Sequence, residues 1–161
     1  MAVATRIDEV RNDIDELART APTAPDLMRG MVKLLHDRML KYNWVGFYML
    51  DPGAEPPALV LGAFEGAMTP HTRIPLNEGI CGAAASSGHT VVVDDVNKDP
   101  RYLACSLETK SEIVVPIFVR GHVVGELDID SHFPAAFTAE HQELVQYCAA
   151  LVGKKLETTS A

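Results

Sequence analysis

The sequence lacks long apolar runs and is short of basic residues. No stretch of about 18 or more apolar residues occurs in it, so we expect no membrane-spanning helix. Lysine and arginine total 14 against 22 aspartate and glutamate residues, which leaves a net charge of −8. Such a chain has no general electrostatic attraction to nucleic acid or to an anionic membrane. The first residues include Arg6, Asp8 and Glu9 and form no apolar segment, so no secretory signal is expected.

Cysteine is also scarce, with only Cys81, Cys105 and Cys148 present. An odd, low count argues against a disulfide framework and favours a reducing compartment, so we expect a cytoplasmic protein. A zinc site using Cys81, Cys105 and His71 lacks the short ligand spacing of most such sites, and no metal is predicted. Walker and GxGxxG motifs are absent from the sequence, so no motif indicates nucleotide binding.

The remaining pattern predicts one domain over residues 1–161, of the α+β class. Helical spacing and capping signals favour helices within 5–40 and over 138–156, with a sheet and pocket over 43–131 between them. Two consecutive strand pairs favour a central, largely antiparallel sheet flanked by helices. Short apolar runs bounded by glycine, proline and polar residues predict five strands, and an alanine-rich segment predicts a short helix. These are strands 44–50, 58–64, 91–93, 113–119 and 123–129, and helix 78–88.

The three cysteines lie in different sequence contexts. Cys148 occupies the apolar stripe of the last helix, where cysteine behaves as a small hydrophobe. Cys105 lies in a polar loop that has no apolar period to bury it, so we expect an accessible thiol. Cys81 lies near the predicted start of helix 78–88, where a helix N-terminus is expected to lower the pKa of its thiol. A small buried residue between glycines is the alternative for Cys81.

Three carboxylates occupy unusual positions near the predicted strands. Glu112 directly precedes one strand, whereas Asp128 and Asp130 alternate along the next and therefore share a face. Aspartate is depleted in strands, and two on one face repel each other unless they share a cation, a proton or hydrogen-bond donors. The three define either a solvated strand end or an acidic pocket that suits an ammonium group or proton donation.

The order of several short motifs makes the sequence similar to a known family. It resembles the stand-alone GAF domains of the free methionine-(R)-sulfoxide reductase family, an oxidoreductase family. The matching pieces run through residues 43–131 in order, and the combination of Cys105, Glu112 and the pair Asp128 and Asp130 is the most specific of them. These pieces are Asn43–Tyr48, Arg73–Pro75, Gly79–Ala83, Asp94–Val96, Ala104–Cys105, Ser111–Pro116 and Gly125–Ser131.

The resemblance implies a role for each matched residue. Cys105 corresponds to the catalytic cysteine of the family, and Trp44 and Tyr48 correspond to aromatic walls of the substrate pocket. The carboxylates Glu112, Asp128 and Asp130 correspond to groups that hold free methionine sulfoxide and assist protonation.

The implied cycle is one of thiol chemistry with no bound metal, flavin or nicotinamide. Cys105 becomes a sulfenic acid, and a second thiol forms a disulfide with it. Thioredoxin, which is kept reduced by NADPH, then reduces that disulfide. The family commonly has a further cysteine two residues before the Arg73–Pro75 piece, and this position is His71 here. The resolving role therefore falls to Cys81, or to an external thiol, or the activity has been lost.

A second reading is a non-catalytic small-molecule sensor built on the same domain. Cyclic nucleotides suit that sensor poorly, because the carboxylates would repel phosphate. A homodimer formed through the first and last helices is compatible with both readings.

Overall fold

The computed structural model describes residues 5–103 and 107–159, and all structural statements below refer to them. They form four helices, six strands and one short 3₁₀ turn, Val96–Lys98. In chain order the elements are α1 (Arg6–Thr20), α2 (Ala24–Arg38), β1 (Trp44–Asp51), β2 (Ala58–Glu65), β3 (Arg73–Pro75), α3 (Gly79–Ser87), β4 (Val91–Val93), β5 (Ser111–Val119), β6 (His122–Ser131) and α4 (Ala139–Thr159).

The first two helices begin where the sequence predicts. The Thr5 hydroxyl accepts a hydrogen bond from the Asp8 backbone N–H at 3.1 Å, and the Asp8 carboxylate accepts one from the Thr5 N–H at 3.2 Å. This reciprocal capping box satisfies donors that a helix start leaves free. Thr23 caps α2 through the Asp26 N–H at 3.2 Å.

The six strands form one sheet in the order β3-β2-β1-β6-β5-β4, and every neighbouring pair is antiparallel. The predicted α+β class with an antiparallel sheet flanked by helices is therefore confirmed. Strand β3 was not among the predicted strands. It has three residues and pairs at the sheet edge, with Ile74 opposite Leu59. Three residues are too few to show the alternation of apolar and polar side chains that predicts a strand.

Side-chain alternation along the strands separates two cores. One face of the sheet carries residues such as Phe47, Leu127 and Ile129, which pack with α1, α2 and α4. The opposite face, which we call the pocket face, carries Trp44 and Tyr48 and packs with α3 and β3. Side chains alternate along a strand. The residues of β6 that alternate with Leu127 and Ile129 therefore point to the pocket face.

None of the described helices is both long and apolar enough to cross a membrane.

Candidate active site

Four carboxylates meet on the pocket face of the adjacent strands β5 and β6. Glu126, Asp128 and Asp130 follow one another at alternate positions of β6, and Glu112 of β5 lies directly across from Asp130. The strand register thus brings together residues that the sequence separates. We call Glu112, Glu126, Asp128 and Asp130 the acidic cluster.

The acidic cluster is buried. Glu126 is 0% exposed, Asp128 and Asp130 are each 4% exposed and Glu112 is 5% exposed. Both carboxylate oxygens of Glu126 and the Oδ1 atoms of Asp128 and Asp130 have no hydrogen-bond partner among the described residues. Buried polar atoms normally have a partner, so the unpaired oxygens mark a place built to meet another group. The interpretation of a solvated strand end is therefore wrong.

Burial raises the pKa of every member of the cluster, because it disfavours the charged form of each carboxyl. Burial and the charges of Asp128 and Asp130 raise the pKa of Glu112 well above its ordinary value. Burial likewise raises the pKa of Asp130 well above its ordinary value. Burial raises the pKa of Asp128 too, but hydrogen bonds from Glu112 and Cys81 counter this effect. Asp128 is therefore the cluster's best-supported anion, and Glu112 is its neighbouring proton donor.

Cys81 joins the cluster from the first turn of α3. Its Sγ donates a hydrogen bond to Asp128 Oδ2 at 3.4 Å, and the residue is 5% exposed. Burial and the charges of Asp128, Glu126 and Glu112 raise the pKa of the thiol well above its ordinary value. The expectation that the helix N-terminus lowers this pKa is therefore wrong, because desolvation and like charge outweigh the helix dipole.

The two aromatic side chains project from β1 on the same face. Tyr48 donates a hydrogen bond from its hydroxyl to the His71 carbonyl at 2.7 Å, and Trp44 donates one from Nε1 to the Ala67 carbonyl at 3.0 Å. Their rings stack at 6.2 Å between centroids. Gly46 lies between them, and a Cβ there would collide with the Trp44 ring. Glycine at this position therefore lets the indole lie across its own strand.

Two cavities adjoin the acidic cluster. The inner cavity, of about 20 Å³, is lined by Cys81, Glu112 and Asp128 together with Tyr48 and His71. Its volume is roughly what one buried water molecule needs.

The outer cavity, of about 260 Å³, is lined by Trp44 and Asp130 and by residues 66–69, 108 and 109. Glu112 lines the inner cavity and lies directly across the strand pair from Asp130, which lines the outer one. The predicted pocket residues therefore divide between a narrow inner chamber and a wider outer one.

The remaining predicted residues have different outcomes. Cys105 lies outside the described residues. Cys148 is 0% exposed and packs in the opposite core, as expected for a structural residue. Glu126 was missed, although its position two residues before Asp128 on the same strand was a readable signal.

Comparisons with known proteins agree with this geometry. The family model of the GAF domain matches residues 24–156. The chain is 37% identical to the free methionine-R-sulfoxide reductase of Escherichia coli, across 78% of this chain and 73% of that protein. The X-ray structure of the Neisseria meningitidis free methionine-R-sulfoxide reductase in complex with its substrate superposes with a TM-score of 0.89, at 32% identity, covering 99% of this chain and 95% of that one. The reduced Staphylococcus aureus protein gives a TM-score of 0.85 at 32% identity, covering 97% and 99%.

Proposed function

Because the chain belongs to the free methionine-(R)-sulfoxide reductase family of GAF domains, we propose that it reduces free L-methionine-(R)-sulfoxide to methionine. The observation that carries the proposal is the buried group Glu112, Asp128 and Asp130 beside the aromatic rings of Trp44 and Tyr48. A site of this kind offers negative charge, a proton and an apolar wall within one pocket.

Substrate selection follows from the charge of the cluster. A free amino acid carries an α-ammonium group, whereas methionine inside a peptide does not. The ammonium would meet the unpaired oxygens of Asp128 and Asp130 and compensate their mutual repulsion. Trp44 and Tyr48 would contact the methyl and methylene groups. The outer cavity is the entry side in this proposal, because the inner one has room for about one water molecule.

The reduction transfers one oxygen atom and two electrons. The Cys105 thiolate attacks the sulfoxide sulfur while Glu112 donates a proton to the sulfoxide oxygen. The protonated oxygen then passes to the Cys105 sulfur, forming a new sulfur–oxygen bond, while the sulfur–oxygen bond of the substrate and the transient bond between the two sulfurs break. Methionine leaves reduced by two electrons, and Cys105 is left oxidised as sulfenic acid. Glu112 suits the acid role because burial and neighbouring charges raise its pKa, which favours its protonated form.

Recycling needs a second thiol, and Cys81 is the proposed one. The Cys81 sulfur would bond to the Cys105 sulfur, and the thiol proton would pass through Asp128 to the hydroxyl of the sulfenic acid, which would leave as water. Because the pKa of Cys81 is raised, this step requires the acceptor that Asp128 provides at 3.4 Å. Thioredoxin, kept reduced by NADPH, would then reduce the disulfide, and no bound cofactor takes part.

Such a cycle requires a reducing compartment, which supports a cytoplasmic location. A homodimer through the terminal helices α1 and α4 stays a prediction.

Methionine formation from the free sulfoxide, with dithiothreitol as reductant, tests the proposal. We expect turnover of the free R isomer, no turnover of the peptide-bound sulfoxide and none in Cys105→Ser. Cys148→Ser is the matched control, since this thiol lies in the opposite core and should leave turnover unchanged. Binding of the sulfoxide without methionine formation would instead support the non-catalytic sensor.

A further inference from the structure

Cys81, Glu112 and Asp128 form a compact set of metal-ligating atoms. One sulfur and one oxygen from each carboxylate all lie within 4.8 Å of one another, and all three residues are buried. The Cys81 Sγ to Asp128 Oδ2 distance is 3.4 Å. Ligands about 2.0 to 2.3 Å from a tetrahedral metal lie roughly 3.3 to 3.8 Å apart, so this pair already has the required separation.

The space between these atoms is also suitable. The inner cavity of about 20 Å³ that they line can hold one small particle, and an ion or a water molecule is of that size. Asp128 lines this cavity, is 4% exposed, and its Oδ1 has no partner among the described residues. A buried carboxylate oxygen without a donor is stabilised by a cation more than by any other ligand.

The ligand types select among cations. Mg²⁺ and Ca²⁺ require six or more oxygen ligands, whereas this set contains a thiol and two carboxylates. Thiolate sulfur and carboxylate oxygen are both ligands of Zn²⁺, and Zn²⁺ sites with three protein ligands keep a fourth position for water. We propose that Cys81, Glu112 and Asp128 bind one Zn²⁺ ion in the inner cavity, reversibly and in competition with the substrate.

Binding changes protonation but involves no redox step. The S–H bond of Cys81 and the O–H bond of Glu112 break, bonds from sulfur and oxygen to zinc form, and two protons leave to solvent. Three deprotonated ligands then face an ion of charge +2. The bound metal would occupy a carboxylate that the proposed function assigns to the substrate ammonium. It would also keep the Cys81 sulfur from forming a disulfide. The inhibitory consequence rests on the proposed function, whereas the metal site itself does not.

The metal site is tested with Co²⁺ and Zn²⁺ on reduced, chelator-treated protein. We expect Co²⁺ to give a near-ultraviolet thiolate charge-transfer band that one equivalent of Zn²⁺ abolishes. The band should be absent in Cys81→Ser and retained in Cys148→Ser and Cys105→Ser. Asp128→Asn keeps the Cys81 thiol and the side-chain volume, and it should weaken Zn²⁺ binding at least about tenfold. This variant tests the metal site if Cys81→Ser does not fold.

A missing band in the unaltered chain, or one that persists in folded Cys81→Ser, overturns the metal site. The competition is tested separately, by single-turnover methionine formation without added thiol. Zinc should suppress this reaction, and excess methionine should lower the zinc affinity. Unchanged turnover at saturating zinc contradicts the inhibition. A metal-free chain without any turnover contradicts the proposed function and leaves the cobalt spectrum to decide on the site.

Discussion

Glu126 is predicted to destabilise the folded chain increasingly as pH rises. It is 0% exposed, and neither carboxylate oxygen has a hydrogen-bond partner among the described residues. Burial raises the pKa of Glu126 well above the ordinary value of 4.5; this outweighs the lowering effect of the Cys81 thiol, and the charge of Asp128 adds a smaller increase. In the unfolded chain this carboxyl loses its proton near the ordinary value, while in the folded chain it stays neutral to higher pH.

The sign of the effect follows from proton binding. Above about pH 4.5 the folded state binds more protons at this residue than the unfolded state, so rising pH favours unfolding. Each pH unit between the two pKa values costs about 1.4 kcal/mol of unfolding free energy. Glu126→Gln has nearly the same shape and cannot ionise. The variant should therefore equal the unaltered chain near pH 4 and gain on it by up to about 1.4 kcal/mol per pH unit above that.

Urea unfolding at several pH values measures this difference. The fluorescence of the only tryptophan, Trp44, which is 9% exposed, reports the transition. Glu143→Gln removes an exposed carboxyl of α4 and is the matched control, expected to stay within about 0.5 kcal/mol of the unaltered chain at every pH. A Glu126→Gln variant whose stability relative to the unaltered chain does not rise with pH would contradict a pKa of Glu126 that is raised in the folded chain.

Three further changes address the pocket. Glu112→Gln should lower kcat by about 10²- to 10⁴-fold. Because Glu112 acts in its protonated form, turnover of the unaltered chain should fall as pH rises through the raised pKa of Glu112, and the pH profile of the variant should lose that limb. Tyr48→Phe removes the 2.7 Å hydrogen bond to the His71 carbonyl and should cost about 1 kcal/mol in thermal or urea unfolding, with a raised KM. Gly46→Ala should force the Trp44 ring aside, cost about 1 to 3 kcal/mol of stability and raise KM more than it lowers kcat.

Local pattern was sufficient to predict the face that the carboxylates share. Asp128 and Asp130 alternate on β6, and that period alone places them together. Local pattern could not predict their burial, because it depends on α3 packing over the pocket face. Whether a strand end is solvated or enclosed is decided by segments far away in the chain.

The protonation of Cys81 illustrates the same limit. Its position near a helix start is a local signal and favours the thiolate. Burial is the largest cause of its raised pKa, and the charge of Asp128, which lies 47 residues away in the chain, is the next. Both depend on the packing of α3 against the sheet. The alternation along β6 could have placed Glu126 on the same face as Asp128. Glu126 is not among the carboxylates that the family resemblance matches. Sequence therefore predicted which carboxylates lie on one face better than the protonation state in which the folded chain holds the neighbouring groups.

The most direct test of the proposed thiol cycle is peptide mapping by mass spectrometry after one turnover without reductant. Incubation of the reduced chain with free methionine-(R)-sulfoxide should yield about one methionine per chain and a loss of two hydrogens that maps to a Cys81–Cys105 disulfide. Cys148, buried in the opposite core, should remain a free thiol. Methionine formed while Cys81 and Cys105 both remain unmodified would contradict the account.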